Sequence, residues 1–237
     1  MRSLFNLDNP FMNLLARACD LIVANMLFLL CCLPVVTIGA STAALHKVCQ
    51  DIVLDRDNVV LRPFFRAFRQ NFKQATLVWL AELLMMVSAV CYWILIMSYT
   101  SGAAATVCKM LLFIAAILVS CVLSYVYPLL ARYDNTLRQH LKNALILSIC
   151  KLPRTIAMTA LHLIPAVILY FSFEIMVRSF IFWLIIGFAV IFYACTCLLR
   201  PVFKELETPD DEGRPSVSLM TLSLIHISEP TRHAQIS

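Results

Sequence analysis

The feature that most constrains this chain is a series of apolar runs, each long enough to cross a lipid bilayer. They cover residues 21–38, 75–97, 105–130, 155–173 and 179–199. A transmembrane helix needs about 20 apolar residues, whereas strands of a membrane barrel show short segments of alternating hydrophobicity. A helix also satisfies its own backbone hydrogen bonds inside lipid. The runs therefore predict an all-α integral membrane protein with five transmembrane helices.

The composition agrees with a chain that lies mostly in lipid. Hydrophobic residues make up 61% of the 237 residues and charged residues only 14%. Soluble domains carry about 25% charged residues, so this chain has too few to cover a soluble surface of its size. Most of its ten cysteines lie within apolar runs. We expect them to be reduced and to pack as small hydrophobic side chains.

Basic residues concentrate in two of the four connections between the runs, which bears on orientation. The connection after the first run holds six of them: Lys47, Arg56, Arg62, Arg66, Arg69 and Lys73. The connection after the third run holds five: Arg132, Arg138, Lys142, Lys151 and Arg154. The other two hold only Arg178 and Lys109, which lies at the edge of the third run. Short cytoplasmic loops are enriched in Lys and Arg, so we expect the basic connections and the C-terminus inside and the N-terminus outside.

The segment 62–73 has the pattern of an amphipathic helix. Its basic residues Arg62, Arg66, Arg69 and Lys73 fall on one face at about 100° per residue, and four phenylalanines fall on another. This pattern is typical of a helix that lies in the membrane interface. Two roles stay open for its basic face, namely attachment to anionic lipid and docking of a partner protein.

An internal repeat follows from the same segment. Residues 68–75 resemble residues 137–144 at an offset of 69, with identity at four of eight positions. The same shift carries the second and third runs close to the fourth and fifth. The sequence therefore predicts one leading span followed by two copies of a basic amphipathic helix and a transmembrane hairpin. Arg138 and Lys142 are the basic residues of the second amphipathic segment.

Ionisable residues inside apolar runs are candidates for function, because burying a charge in lipid is costly. Glu82 lies within the second run, and the repeat places Lys151 and Arg154 at a similar depth. We predict an ion pair between Glu82 and one of these two residues. The alternative is that Glu82 faces water while the basic side chains extend to the membrane surface. His162 in the fourth run is expected to make a helix-packing hydrogen bond.

Motifs for catalysis or cofactor binding are absent from the sequence. It contains no phosphate-binding loop, zinc-protease helix, hydrolase nucleophile elbow or dinucleotide fingerprint. No His, Cys and acidic residues stand at metal-ligand spacing. The basic residues alternate with Phe and Leu in a membrane-surface pattern that is not typical of nucleic-acid binding. We therefore predict no catalytic, cofactor or metal site and no nucleic-acid partner.

Four segments, 5–10, 33–44, 64–75 and 128–136, together resemble the YesL-type family of bacterial integral membrane proteins of unknown function. The resemblance covers residues 5–203. It implies a non-enzymatic protein of the bacterial plasma membrane. Family members are often encoded beside carbohydrate uptake transporters of the ABC type and their regulators. One function it suggests is an accessory role with an ABC permease or a sensor kinase as partner. The repeat and the intramembrane charges favour the alternative of a small transporter or channel.

Three regions are predicted along the chain. They are a YesL-like membrane domain at 1–203, a polar cytoplasmic tail at 204–221 and a non-native segment at 222–237. The last segment resembles the translation of a sequencing-library adapter. We expect the underlying DNA to match the adapter nucleotide for nucleotide, and its two histidines should enter no functional argument.

Overall fold

A computed structural model describes residues 10–55 and 59–207, and these residues form helices joined by short connections. The helices are α1 (Pro10–Cys32), α2 (Ile38–Val53), α3 (Leu61–Tyr99), α4 (Gly102–Arg132), α5 (Leu137–Cys150), α6 (Leu152–Phe171), α7 (Phe173–Arg178), α8 (Phe180–Phe182) and α9 (Phe188–Glu207). A 3₁₀ turn, Val35–Thr37, precedes α2, and a π-helical segment, Trp183–Gly187, joins α8 to α9. Most of the predicted tail and the whole segment 222–237 lie outside the described residues.

Five helical segments among the described residues are long and apolar enough to cross a membrane, as predicted. They are Met12–Cys32, Leu61–Tyr99, Gly102–Arg132, Leu152–Phe171 and Phe180–Leu206. Large hydrophobic side chains cover their outer surfaces, and Leu84 for example is 70% exposed. Exposed apolar surface of this extent requires lipid as its solvent. The chain is thus a multi-pass α-helical membrane protein.

The centre of the fold is α2, which packs against α1, α3, α4 and α9. Thirteen of its 16 residues are buried. Small residues at its start let α3 approach closely, because a Cβ atom on Gly39 would lie only 2.3 Å from the backbone oxygen of Ala75. Small side chains commonly mark the contact faces of membrane helices. A short, almost fully buried helix therefore organises the longer helices around it.

The first apolar run does not continue past Pro34, in contrast to the prediction of a span over 21–38. Helix α1 ends at Cys32, and the chain reverses through the 3₁₀ turn. The Trp79 indole N–H donates to the carbonyl of Val35 at 2.7 Å and ties this turn to α3. The Arg17 guanidinium contacts the Asp55 carboxylate at 2.7 Å, so the start of α1 lies beside the end of α2. The sequence predicted the basic α2–α3 connection inside and the N-terminus outside. This contact instead brings the start of α1 next to the beginning of that connection.

The π-helical segment is held by a side chain from α1. A π-helical turn shifts the backbone pairing and leaves groups without their usual α-helical partners. The Asn25 amide donates to the carbonyls of Leu184 at 2.8 Å and Trp183 at 3.3 Å, and its oxygen accepts from the Ala189 N–H at 3.0 Å. A fully buried asparagine thus completes the backbone hydrogen bonding at the entry to α9.

The two predicted repeat units differ in the structure, and the repeat organisation is not confirmed. In the first unit, the basic segment and the transmembrane span form one continuous helix of 39 residues, α3. In the second unit, the chain breaks at Lys151 between α5 and α6, and Pro153 lies in the first turn of α6. Proline lacks the N–H that a continuous helix requires, which explains the break.

Helix α5 corresponds to the second basic amphipathic segment of the predicted repeat. Thr136 occupies the capping position at its start. The Gln139 side chain accepts a hydrogen bond from the Thr136 backbone N–H at 3.1 Å. This reciprocal arrangement is the capping box.

Candidate functional site: a cavity between the membrane helices

A cavity of about 820 Å³ lies between α2, α3 and α4, with contributions from α6 and α9. Its wall is mostly apolar and aromatic. Its polar lining includes Thr42, His46, Glu82, Ser124, Tyr127 and His162. Ligand sites in proteins commonly combine an apolar wall with a few converging polar groups, and they have volumes of about 300–1,000 Å³. This cavity has the size and chemistry of such a site.

Glu82 places a carboxyl group on the cavity wall, about six turns into α3. Tyr127 on α4 donates its hydroxyl proton to Oε2 of Glu82 at 2.9 Å. The antiparallel pairing of α3 and α4 brings these residues to the same level. A second hydrogen bond agrees with this pairing, since the Gln74 side chain donates to the carbonyl of Asn135 at 3.0 Å. Within the described residues, no Lys or Arg side chain forms an ion pair with Glu82. The polar carboxyl group of Glu82 is therefore stabilised by a hydrogen bond from the neutral Tyr127 hydroxyl.

The predicted ion pair between Glu82 and Lys151 or Arg154 is not formed in the structure. Both carboxylate oxygens of Glu205 on α9 accept hydrogen bonds from Lys151 Nζ at 2.8 Å. The break before α6 accounts for the difference, because it places Lys151 at a helix end that faces α9. Arg154 lies one turn into α6 and is partly exposed. The repeat therefore predicted a similar depth for these residues but the wrong neighbours.

His46 brings an imidazole ring from α2 into the cavity wall. The side chain is 2% exposed, and its ring centre lies 4.6 Å from that of Phe192 on α9. Its Nδ1 atom is buried and has no hydrogen-bond partner. Buried polar atoms without a partner are rare in proteins because each costs desolvation free energy. The protein thus leaves one ring nitrogen of a cavity-lining residue without a partner.

His162 on α6 lies on the other side of Phe192, at 5.7 Å between ring centres. Its Nδ1 atom bonds the carbonyl of Met158 in its own helix at 2.9 Å. The Cys195 thiol lies 3.8 Å from the same nitrogen. The sequence predicted a packing hydrogen bond for His162, and the bond that forms is within α6. The position of this ring on the cavity wall could not be foreseen from its run alone.

The predicted contact residues on the basic segments are all exposed at the surface. They are Arg62, Arg66, Arg69 and Lys73 on α3, and Arg138 and Lys142 on α5. The phenylalanines between them differ from the expected lipid-facing set. Phe64 is fully buried in the protein core, whereas Phe65 and Phe72 are exposed. The basic segment thus packs on the protein with part of its aromatic face.

Groups that could hold a metal ion are not found among residues 10–55 and 59–207, where no three His, Cys, Asp or Glu residues cluster. All ten cysteines are free thiols.

Outside the membrane spans, burial lowers the pKa of His140 on α5 to about 4. The nearby Asp134 carboxylate opposes this effect but does not outweigh it.

Sequence reasoning found Glu82 and His162 but missed His46 and Tyr127. His46 follows a run of small residues at 39–44, a pattern that indicates close helix packing. Its signal was a polar ring at the end of an apolar, small-residue segment. Tyr127 precedes Pro128 near the end of an apolar run and carried no signal of its own.

The chain is similar to a known protein family and to a protein of Bacillus subtilis. The model of a family described as "Protein of unknown function, DUF624" matches residues 21–95. The uncharacterized protein YteU of Bacillus subtilis (strain 168) is 30% identical over 156 residues, which cover 62% of this chain and 69% of the relative. The chain belongs to the DUF624 family. This confirms the resemblance to the YesL-type proteins. No solved structure matches it.

The DUF624 match covers a continuous part of the fold. Residues 21–95 contain most of α1, all of α2 and most of α3. The matched segment therefore includes the α1–α2 hairpin and several polar residues of the cavity wall, among them Thr42, His46 and Glu82. Tyr127 and His162 come from the part of the chain beyond the match.

Proposed function

We propose that this DUF624 protein is a non-enzymatic membrane protein that binds a small molecule in the cavity and acts as a small transporter. The observation that carries this proposal is the position of Glu82 on the wall of a cavity between membrane helices. Ionisable residues inside a membrane are costly, and they commonly mark substrate or ion pathways. Structural stability alone would be served equally well by an apolar residue at this position.

The broad test of this proposal fills the cavity and asks whether ligand binding is lost. Ala89 lines the cavity on α3, whereas Ala81 is exposed on the same helix and does not line it. We would purify the wild type, Ala89→Phe and Ala81→Phe and measure thermal unfolding with sugars, organic cations, organic anions and lipids. A ligand at 100 times its Kd stabilises a protein by about 2.7 kcal/mol.

A compound that stabilises the wild type and Ala81→Phe, but not Ala89→Phe, supports a ligand site in the cavity. Uptake of that compound into liposomes by the wild type then supports transport. Equal stabilisation of all three proteins by every active compound contradicts the proposal, because such binding does not use the cavity. Failure of every class to stabilise the wild type also contradicts it.

A second candidate function is an accessory role beside a carbohydrate uptake transporter of the ABC type. The observation in its favour is the exposed basic surface of α3 and α5. We would express tagged protein in a related bacterium grown on plant polysaccharide and identify what co-purifies. An ABC permease or sensor kinase that is lost in Arg66→Gln/Arg69→Gln, and retained in an Arg178→Gln control, supports this role. A homogeneous protein without such a partner contradicts it.

We also propose that the protein lies in the bacterial plasma membrane with its basic connections and C-terminus in the cytoplasm, following the positive-inside rule. The Arg17–Asp55 contact supports a cytoplasmic position for the start of α1 as well, because Asp55 directly precedes the basic segment. A fluorescent protein that matures only in the cytoplasm, fused to the N-terminus, should fluoresce. An N-terminal phosphatase fusion that is active in the periplasm would contradict this orientation.

A further inference from the structure

We infer that the ligand of the cavity is a lipophilic organic cation, held by the Glu82 carboxylate and the aromatic wall. This inference rests on the proposed function, because it names the substrate class of the same cavity. Four features of the wall support it: its charge, its aromatic rings, the state of its hydroxyl groups and an unpaired ring nitrogen.

The charge of the wall favours a cation. Glu82 is the acidic residue of the lining, and no Lys or Arg lines the cavity within the described residues. Its hydrogen-bond partner, Tyr127, is neutral. An ionised carboxylate in a region of low dielectric constant lacks compensation until a positive charge lies near it. A cationic ligand supplies that charge from outside the protein.

The aromatic rings of the wall can bind the apolar body of the ligand and its charge. Trp79, Tyr92 and Phe192 all line the cavity. The Trp79 ring is fixed by its hydrogen bond to Val35, so little conformational entropy is lost when it contacts a ligand. A cation over an aromatic face is attracted by about 0.5–2 kcal/mol. The protein uses the same interaction elsewhere, where Lys109 Nζ lies 5.5 Å from the Trp93 ring.

The hydroxyl groups of the wall disfavour anions and sugars. Thr42, Ser88 and Ser124 donate their protons to backbone carbonyls of their own helices, each at 2.8 Å. Tyr127 donates to Glu82. These four protons are therefore engaged, and the few donors left to an anion or a polyol include the hydroxyls of Ser120 and Tyr92. A cation with a large apolar body needs none of them.

The unpaired nitrogen of His46 is the second polar feature that points to a ligand. The side chain lines the cavity, is 2% exposed, and its Nδ1 has no partner. A protonated amine has N–H groups that can donate a hydrogen bond to an unprotonated ring nitrogen. Amines are therefore expected to bind more tightly than quaternary cations of equal size.

The test uses two probes of the same shape and opposite charge. Tetraphenylphosphonium is a cation, and tetraphenylborate is an anion with the same four phenyl groups. Their binding to the full-length protein in nanodiscs made from neutral lipid would be measured by equilibrium dialysis, with empty nanodiscs subtracted. The variants are Glu82→Gln, Glu82→Asp and Glu174→Gln. Glu174 is an exposed carboxylate in α7 that pairs with Arg178, so it serves as the control for loss of one negative charge.

We expect the wild type, Glu82→Asp and Glu174→Gln to bind the cation in clear preference to the anion. Glu82→Gln should bind the cation at least tenfold more weakly, because the charge is lost while the shape is kept. Retention of binding by Glu82→Asp shows that the effect follows the charge and not the fold. Binding that is unchanged in Glu82→Gln overturns the inference.

Two further outcomes separate the inference from the proposed function. Binding of the anion or of a neutral compound that Ala89→Phe abolishes, without binding of the cation, overturns the inference while the cavity remains a ligand site. Binding of no compound of any class overturns both. Proton flux that depends on Glu82, with no binding of the organic cation, also overturns the inference, because the carboxyl group then carries a proton alone.

Discussion

The region around α2 and the outer halves of α3 and α4 are built on opposite rules. Around α2, small and polar residues are buried, and Asn25, Ser41 and His46 are each at most 2% exposed. In the outer hairpin, large hydrophobic residues such as Leu84 and Phe113 are about 70% exposed. Lipid solvates apolar side chains as well as a protein interior does, so apolar burial gives little driving force there. Close packing and hydrogen bonds therefore hold the centre, and length and hydropathy suffice for the hairpin.

The largest expected effect comes from breaking the packing of the centre with Gly39→Leu. The new Cβ atom would meet the Ala75 carbonyl oxygen at 2.3 Å, and backbone cannot move aside as a flexible side chain can. We expect a loss of about 3 kcal/mol or more in the free energy of unfolding, above the usual range for overpacking. Unfolding in detergent measures it. The matched control Ala81→Leu adds the same groups on an exposed face, and a similar loss there would erase the contrast between the two regions.

The next effect concerns pH and the buried ring of His140. Its pKa is about 4 in the folded protein against 6.5 for the free side chain, so the unfolded chain takes up the proton first as pH falls. Stability is therefore unaffected above pH 6.5 and decreases down to pH 4. Each pKa unit corresponds to about 1.4 kcal/mol, which gives a loss of about 3 kcal/mol.

His140→Gln removes this titration and should flatten the dependence of unfolding on pH between 6.5 and 4. Other groups that titrate in this interval contribute equally to both proteins, so the difference between the two curves isolates His140. Parallel curves for the wild type and His140→Gln would show that the ring is hydrated in the folded protein.

A smaller loss is expected when Asn25→Leu removes the hydrogen bonds to the π-helical segment. Leucine has a similar volume, but it leaves the Leu184 carbonyl and the Ala189 N–H without their partner. An unsatisfied buried backbone group costs about 1–3 kcal/mol, so we expect a loss of about 2 kcal/mol. The variant Asn13→Leu on the exposed start of α1 is the control. Equal stability of both variants would mean that the segment rearranges to an ordinary α-helix.

The smallest effect is expected at the Lys151–Glu205 pair on the surface. Its side chains are 27% and 49% exposed, and exposed ion pairs contribute about 0.2–1 kcal/mol. Lys151→Met should therefore lower the free energy of unfolding by about 0.5 kcal/mol, and 0.5 M salt should reduce the difference between the two proteins. A loss as large as that of Asn25→Leu would place this pair with the buried centre instead.

The five spans and helix α5 could be predicted because each depends on residues that are close in sequence. Hydropathy over about 20 residues decides whether a helix can cross lipid, and the turn before α5 carries its own capping residues. Glu82 was recognisable for a similar reason, since a carboxyl group in an apolar run is conspicuous without knowledge of its neighbours.

The reversal after Cys32, the partners of Glu82 and the cavity could not be predicted from local pattern. The first run was expected to continue to residue 38, but the α1–α2 hairpin depends on Trp79 and Asp55, which lie far along the chain. The repeat suggested that Glu82 and Lys151 lie at equal depth, but the helix break beside Pro153 leaves Lys151 paired with Glu205 on α9.

The sequence by itself therefore determined the solvent of this protein, its helical class and the number of long apolar helices, because burial in lipid constrains every short segment independently. Only the tertiary structure decided that Glu82 contacts Tyr127, that His46 has an unpaired nitrogen, and that these three residues line one cavity. These contacts join helices that are distant in sequence. Their geometry follows from how closely small residues let the backbones approach, which no single helix encodes.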